Sequence, residues 1–441
     1  MRPRSRMMIA RLLRRARRLP VDRHRAALRG RRLVAAVLLA FGLAVGCLTV
    51  SRPRVEPGSV PAPGGPPSVD RIVRVRLLGA QPVEGFRLEL PAGYRLIDGR
   101  TGAELGSSSQ PLAMVRVSSS TRSPTRIMLG AARIDSDDVL ITPGREAGVV
   151  IEGRTYRGAL RVQAGKRGLT VTNELDVEDY VAGVLRGELP RHFHAEAQRA
   201  LAVAARTYVL YQQLTAGASR TFDVLADERS QMYVGVSGED RAALEAVGRT
   251  RGEVLLVPQD GRERVFCTYY SACCGGLSQA VTDFRPSDPL SAPLAGGVRC
   301  DWCRSARTYR WKPVALSKGE ITRRLVARYP QLSRLGEVTR VSPESVTPEG
   351  RLTRVRILGS SGASEVLPGE DFRLSMGGHV LRSTWCEISD EGKVVRFSGG
   401  RGFGHGVGLC QEGADGLSRL GRGYREILET YYPGSILRKL Y

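Results

Sequence analysis

Glu188 closes a segment, Val177 to Leu189 (VEDYVAGVLRGEL), in which Val177, Val181, Val184, Leu185 and Glu188 fall on one helical face at spacings of 4, 3, 1 and 3. A carboxyl on an apolar stripe is partly desolvated. Desolvation raises its pKa, and a raised pKa lets one group give a proton and then take one back near neutral pH. The plainer alternative is a structural glutamate paired with an arginine such as Arg206. His405 lies in Gly402-Phe403-Gly404-His405-Gly406-Val407-Gly408. Alternating glycines there clear one face of side chains and let a ligand approach the backbone. That setting suits a structural or substrate-contacting histidine better than a metal ligand. The loop carries no Gly-Lys-Ser/Thr, so it does not read as a phosphate cradle.

Seven cysteines follow the first fifty residues: Cys267, Cys273, Cys274, Cys300, Cys303, Cys386 and Cys410. An odd number cannot pair completely. Cys300-x-x-Cys303 has metal-ligand spacing, and Cys273-Cys274 beside two glycines supplies further thiolates. The expected product is a tetrahedral, structural zinc site held by Cys273, Cys274, Cys300 and Cys303, closed to substrate and not needed for the chemistry. One or two disulfides in an oxidising compartment are the alternative. No Gly-x-Ser-x-Gly and no His-Glu-x-x-His occurs, and the chain has only five histidines. Common serine hydrolases and zinc amidases are thereby disfavoured.

These groups need a scaffold, and the length of 441 residues predicts two or three domains. The net charge of +23 is concentrated at one end. Roughly 15 Lys and Arg against one acid fall in residues 1–54, leaving about +9 on the rest. A mildly basic body suits an anionic polymer. A nucleic-acid binder is disfavoured, because export is indicated and basic residues do not interleave with aromatics.

The expected organisation is a basic cytoplasmic tail (1–32), an apolar transmembrane or signal segment (33–50), a Pro/Gly-rich linker (51–70), a β-rich region (71–175) and a mixed helix/strand catalytic region (176–441). The run LVAAVLLAFGLAVGCLTV is as long as a short span and follows arginines, so the positive-inside rule exports what comes after it. It reads as a signal anchor, a cleaved signal, or a lipoprotein signal ending at Cys47. Its lack of any polar face counts against a buried core helix. The exported part is therefore expected at the cell envelope, tethered to the membrane. The fold class is α+β. Ile72–Leu77, Phe86–Leu90, Ala113–Val117, Val149–Ile151, Leu160–Val162 and Leu169–Val171 read as strands. Helices are expected over Val177–Leu189, Ala195–Leu214, 318–329, Gln411–Leu420 and Tyr424–Tyr432. Residues 222–300 read as short strands and turns, and 338–400 as strands.

Four ordered blocks over residues 72–437 resemble the sporulation stage II protein D family. Tyr180 to Tyr208 (YVAGVLRGELPRHFHAEAQRALAVAARTY) is similar to its Tyr-Leu-x-Gly-Val-Val-x-x-Glu-Met-Pro motif and the following Ala-Val-Ala-Ala-Arg-Thr-Tyr run. Ser230-Gln231-Met232-Tyr233, Tyr270 to Gly276 (YSACCGG), and Gly400 to Gly413 with Tyr431-Tyr432-Pro433-Gly434 resemble the later blocks. The resemblance implies a lytic transglycosylase that cuts peptidoglycan glycan strands between N-acetylmuramic acid and N-acetylglucosamine, leaving 1,6-anhydro ends. Glu188 matches the family's acid/base. It also implies substrate contacts by Arg206, Ser271, Gly275, Gly276, Tyr309, Arg310, His405 and Gln411, and zinc near Cys274. Related proteins enhance an amidase without catalysis, which makes an amidase a candidate partner. Three positions depart from the family pattern: its motif His is replaced by Ser271 or Tyr270, its Gln by Leu201, and its frequent Trp by Phe403.

Overall fold

The computed structural model describes residues 70–119, 126–144, 147–217, 220–289 and 291–441. The expected tail, apolar segment and nearly all of the linker lie outside the described residues. Among those described, no helix is long and apolar enough to cross a membrane.

The first hundred described residues alternate inward and outward side chains, and this period builds two sheets. One has seven strands in the order Val224–Leu225, Ile72–Arg76, Gly168–Asp176, Ala159–Gly165, Asp138–Pro143, Tyr94–Asp98 and Glu104–Ser108. The other has six, running Arg154–Tyr156, Val149–Ile151, Gly85–Leu90, Leu112–Ser119, Ile127–Leu129 and Ala132–Ile134. Val73, Val75, Leu160, Val162 and Val171 from the first and Phe86, Leu88, Val149 and Ile151 from the second are buried in one core. Along Leu169–Leu175, Leu169, Val171, Asn173 and Leu175 are buried while Thr170 and Glu174 are partly exposed, with Thr172 the exception to the alternation.

The long strand Gly168–Asp176 feeds straight into α1 (Val177–Glu188). Asp176 ends the strand and caps the helix, accepting from the Glu178 N–H at 2.9 Å. The sheet therefore sets the direction of the helix that ends in Glu188. Helix α2 (Ala195–Thr215) packs on α1, and its alanines at 197, 200, 202, 204 and 205 are buried. The core of the sheets continues without a break through α1, α2 and on to Tyr431 and Tyr432, so the 175/176 boundary marks a change of element within a shared core.

Two helices lie where strands and turns were expected. Helix α3 (Arg241–Arg249) is capped by Asp240, and α4 (Val281–Phe284) is a single turn. Only Ala243, Ala246 and Val247 of α3 are buried, a stripe too thin to stand out against its charged neighbours. Residues beyond Arg310 form a lobe with a separate core, from Trp311 through Ile321, Leu325, Val355, Ile357 and Phe372 to Phe397. It holds two three-stranded sheets, α5 (Lys318–Arg328) and α6 (Gly369–Met376). The last again falls in a segment read as strand. The chain enters and leaves this lobe at one place, where the Trp311 N–H donates to the Gly400 carbonyl at 3.1 Å and Arg310 bridges Arg401. Helices α7 (Gln411–Arg419) and α8 (Tyr424–Tyr431) return to the first core.

Candidate active site around Glu188

Glu188 is the last residue of α1, before Leu189 and Pro190, and it is half-buried. Two separate stretches of chain deliver hydrogen-bond donors to its carboxyl. The Met232 backbone N–H donates to Oε1 at 2.7 Å. Gln411 Nε2 donates to Oε2 at 3.3 Å. Burial pushes the Glu188 carboxyl above the usual range, and these bonds pull it part of the way back. A carboxyl so placed can exchange a proton with a bound molecule near neutral pH.

The close approach of Met232 depends on glycines. A Cβ on Gly187 would lie 1.9 Å from the Met232 carbonyl oxygen, and one on Gly183 would lie 2.5 Å from the Tyr233 ring. Glycine inside a helix costs about 1 kcal/mol relative to alanine. Here it opens the face against which Gln231-Met232-Tyr233 is laid. Tyr233 is pinned by its hydroxyl, which donates to Asn173 Oδ1 at 2.8 Å. Tyr270 and Gln411 arrive together, because the strand Tyr270–Ser271 runs parallel to Leu409–Cys410, with Ser271 opposite Cys410.

Arg206 is not brought to this carboxyl. It is 1% exposed and forms a buried ion pair with Glu178, donating through Nη2 at 2.6 Å and Nε at 3.0 Å. Its Nη1 goes to the Glu253 carbonyl at 3.0 Å. With its donors consumed there, Arg206 has a structural position, and the expected partner of Glu188 belongs instead to Glu178. Tyr441 and the Gly252 N–H complete the Glu178 set.

Ser271 and His405 form a second cluster beside Tyr270. Ser271 Oγ accepts from the Gly406 N–H at 3.2 Å. His405 Nδ1 accepts from the Val407 N–H at 3.0 Å, and its ring stacks on Phe284 at 4.6 Å. Burial pushes the His405 imidazole down to about 4, so it is neutral at physiological pH. Gly275 and Gly276 both have positive φ, 76° and 111°. A Cβ on Gly276 would meet the Tyr309 hydroxyl at 2.9 Å. Tyr309 is buried and Arg310 exposed, at the neck of the second lobe.

The cysteines gather, with one exchange from the expected set. The sulfurs of Cys274, Cys300, Cys303 and Cys410, all buried, lie within 4.8 Å of one another. Cys410 takes the place expected for Cys273, which is buried as well. The reason is the parallel strand pair, which carries the glycine-rich segment back beside residues 270–274. Four thiolates around zinc at about 2.3 Å stand about 3.8 Å apart, and Cys274 and Cys303 are 3.8 Å apart. Cys410 Sγ also accepts from the N–H groups of Cys274 and Gly413, each at 3.3 Å, at the start of α7. A helix N-terminus favours thiolate. Arg351, 2% exposed, donates to the Cys274 carbonyl and leaves Nη1 without a partner. Its buried positive charge offsets that of a tetrathiolate. The donor set fits zinc.

Sequence reading of the site missed Tyr270, Gln231, the Met232 N–H and Cys410. Gln231 Nε2 donates to the Tyr270 hydroxyl at 2.9 Å and the Met232 N–H to Glu188 at 2.7 Å; these are pairings between motif blocks, which no spacing along one block displays.

A family model described as "Stage II sporulation protein" matches residues 165–256. An uncharacterised protein of Brachyspira hyodysenteriae is 33% identical over 293 residues, covering 65% of this chain and 73% of its own. The stage II sporulation protein D of Bacillus subtilis is 24% identical over 275 residues, covering 59% of this chain and 74% of its own. The amidase enhancer of the same organism is 25% identical over 293 residues, covering 58% of this chain and 40% of its own.

Proposed function

Because this chain belongs to the stage II sporulation protein D family, we propose that it is a lytic transglycosylase of peptidoglycan glycan strands with Glu188 as its acid/base. The observation that carries the reading is the Glu188 carboxyl itself: half-buried, raised by desolvation, and held by donors from two other parts of the chain. Its proton is passed to the glycosidic oxygen as the bond from C1 of N-acetylmuramic acid breaks. The resulting carboxylate takes the proton of the C6 hydroxyl as that oxygen attacks C1 on the same sugar. No second carboxylate and no water is consumed, unlike the two-carboxylate glycosidases. The intramolecular nucleophile supplies much of the rate through proximity.

Zinc, if held by Cys274, Cys300, Cys303 and Cys410, has a structural role, fixing the Cys410–Gln411 junction beside Glu188. In this reading the enzyme works at the cell envelope with its body outside the cytoplasm, a reading supported by the apolar run of residues 33–50 and the arginines before it. A second reading, a wall-binding enhancer of an amidase, is favoured by the similarity to the Bacillus subtilis amidase enhancer.

The test uses full-length protein and Glu188→Gln with peptide-free glycan strands, and mass spectrometry of the products. The expected result is 1,6-anhydro ends from the wild type, and a rate at least about 100-fold lower in the variant. If neither protein cleaves, while both bind strands and accelerate an amidase, the enhancer reading replaces this one.

A further inference from the structure

Arg310 and Arg401 stand opposite each other where the chain enters and leaves the second lobe. The Trp311 N–H donates to the Gly400 carbonyl at 3.1 Å, and the Gly402 N–H to the Tyr309 carbonyl at 2.9 Å. These bonds flank the two arginines rather than join them. Theirs is therefore the closer kind of antiparallel pair, with Cα atoms about 4.5 Å apart and both side chains on one face. Like charges set directly opposite repel. Neither guanidinium is hydrogen-bonded or ion-paired to a described residue; each only faces a ring, Arg310 that of Tyr309 at 6.0 Å and Arg401 that of Trp385 at 5.3 Å. Arg310 is exposed and Arg401 half-buried. Two planar forks held side by side, with no acid of the chain paired to either, suit a carboxylate, which accepts from both.

We propose that Arg310 and Arg401 together form a clamp for a carboxylate carried by the glycan strand. The clamp and Glu188 are built on one framework. Gly275 packs on Arg401, where an added Cβ would lie 3.0 Å from the arginine's own. Cys273 of the same turn bridges Phe403, and Ser271 pairs with Cys410. The next residue, Gln411, donates to Glu188. Peptidoglycan offers carboxylates in two places. The lactyl group of N-acetylmuramic acid has one when no peptide is attached, and an uncharged amide when one is. The stem peptide carries others. Taking the glycan strand as the source of the anion rests on the proposed function; the pairing of the two arginines does not.

The experiment measures equilibrium binding of the full-length protein to three kinds of strand: peptide-free, peptide-free with the lactyl carboxyls converted to methylamides, and peptide-bearing. Every variant is made on Glu188→Gln, so that no strand is cut during the measurement. In Arg310→Gln and in Arg401→Gln the affinity for carboxylate-bearing strands falls about 10-fold or more, the size of one lost hydrogen bond to a charged group. Affinity for the methylamide strands is unchanged. Arg401→Lys recovers only part of the loss, because an ammonium lacks the planar fork. Removing one of two facing like charges does not lower the thermal midpoint, which separates lost binding from lost fold. Arg340→Gln, which removes an exposed arginine from a strand of the second lobe, is the control for net charge. A loss seen with peptide-free strands assigns the carboxylate to the lactyl group, and one seen only with peptide-bearing strands assigns it to the peptide; either supports the clamp. An equal loss in Arg340→Gln, or no carboxylate-dependent binding at all, overturns it. If the pair binds strands and the wild-type protein cleaves none, the transglycosylase reading fails and the clamp stands.

Discussion

On the proposed transglycosylase reading, Glu188 begins the cycle protonated. Burial raises its carboxyl above the ordinary range, which populates the acid at a pH where an exposed glutamate is ionised. The sign of the pH dependence follows. Cleavage is highest below the raised pKa and declines as pH increases through it, and a pH–rate profile of the wild type shows this as a single high-pH limb. A profile that instead rises with pH across that range would mean that Glu188 works first as a base. Arg206 carries a different expectation. Its partner Glu178 is buried, so Arg206→Ala leaves an uncompensated charge and costs about 3–5 kcal/mol in denaturant unfolding. The loss is recovered in large part by adding Glu178→Gln. Glu188 was legible in the sequence because one helical period put it on an apolar stripe. The Arg206–Glu178 pair was not, because it joins two helices whose relative rotation no local pattern states.

At the scale of elements, α1 is the piece on which the site depends. A strand sets its start through Asp176, and two glycines set what lies against its last turns. Gly187→Ala puts a methyl group onto the Met232 carbonyl and displaces the N–H that holds Glu188 Oε1. It is expected to lower cleavage by at least about 10-fold, the effect of misplacing an acid by a fraction of an ångström. Gly248→Ala, with nothing within 4 Å, is the control: it stabilises α3 by about 0.5–1 kcal/mol and leaves activity unchanged. Six of the twelve strands described within residues 72–176 and helices α1, α2, α7 and α8 were readable from their periods of 2 and 3.6, while Tyr94–Asp98, Glu104–Ser108, Ile127–Leu129, Ala132–Ile134, Asp138–Pro143 and Arg154–Tyr156 were not expected. Helix α3 was not, with three buried positions in a charged segment, and α6 was hidden among the strands around it.

At the scale of the whole molecule, a second lobe with its own core is inserted between the residues that meet at Arg310 and Arg401. Its strands were legible and its separateness was not, since the contact that closes its neck joins residues about ninety positions apart in the chain. The same holds for Cys410, which the fold returns to Cys274 from far along the sequence. The purified protein is expected to carry about one zinc per chain by elemental mass spectrometry, from the tetrathiolate geometry. Chelation is expected to lower the thermal midpoint, and Cys410→Ser to lose the metal. A metal-free protein indifferent to chelator would contradict the site.

The central claim is that one carboxyl suffices because the attacking oxygen is the substrate's own. Digestion of peptide-free glycan strands by the full-length protein in 18O-labelled water tests this directly. The account predicts new N-acetylmuramic acid ends that are anhydro sugars with no label. New reducing ends carrying one 18O would mean that water is the nucleophile and that the one-carboxyl mechanism at Glu188 is wrong.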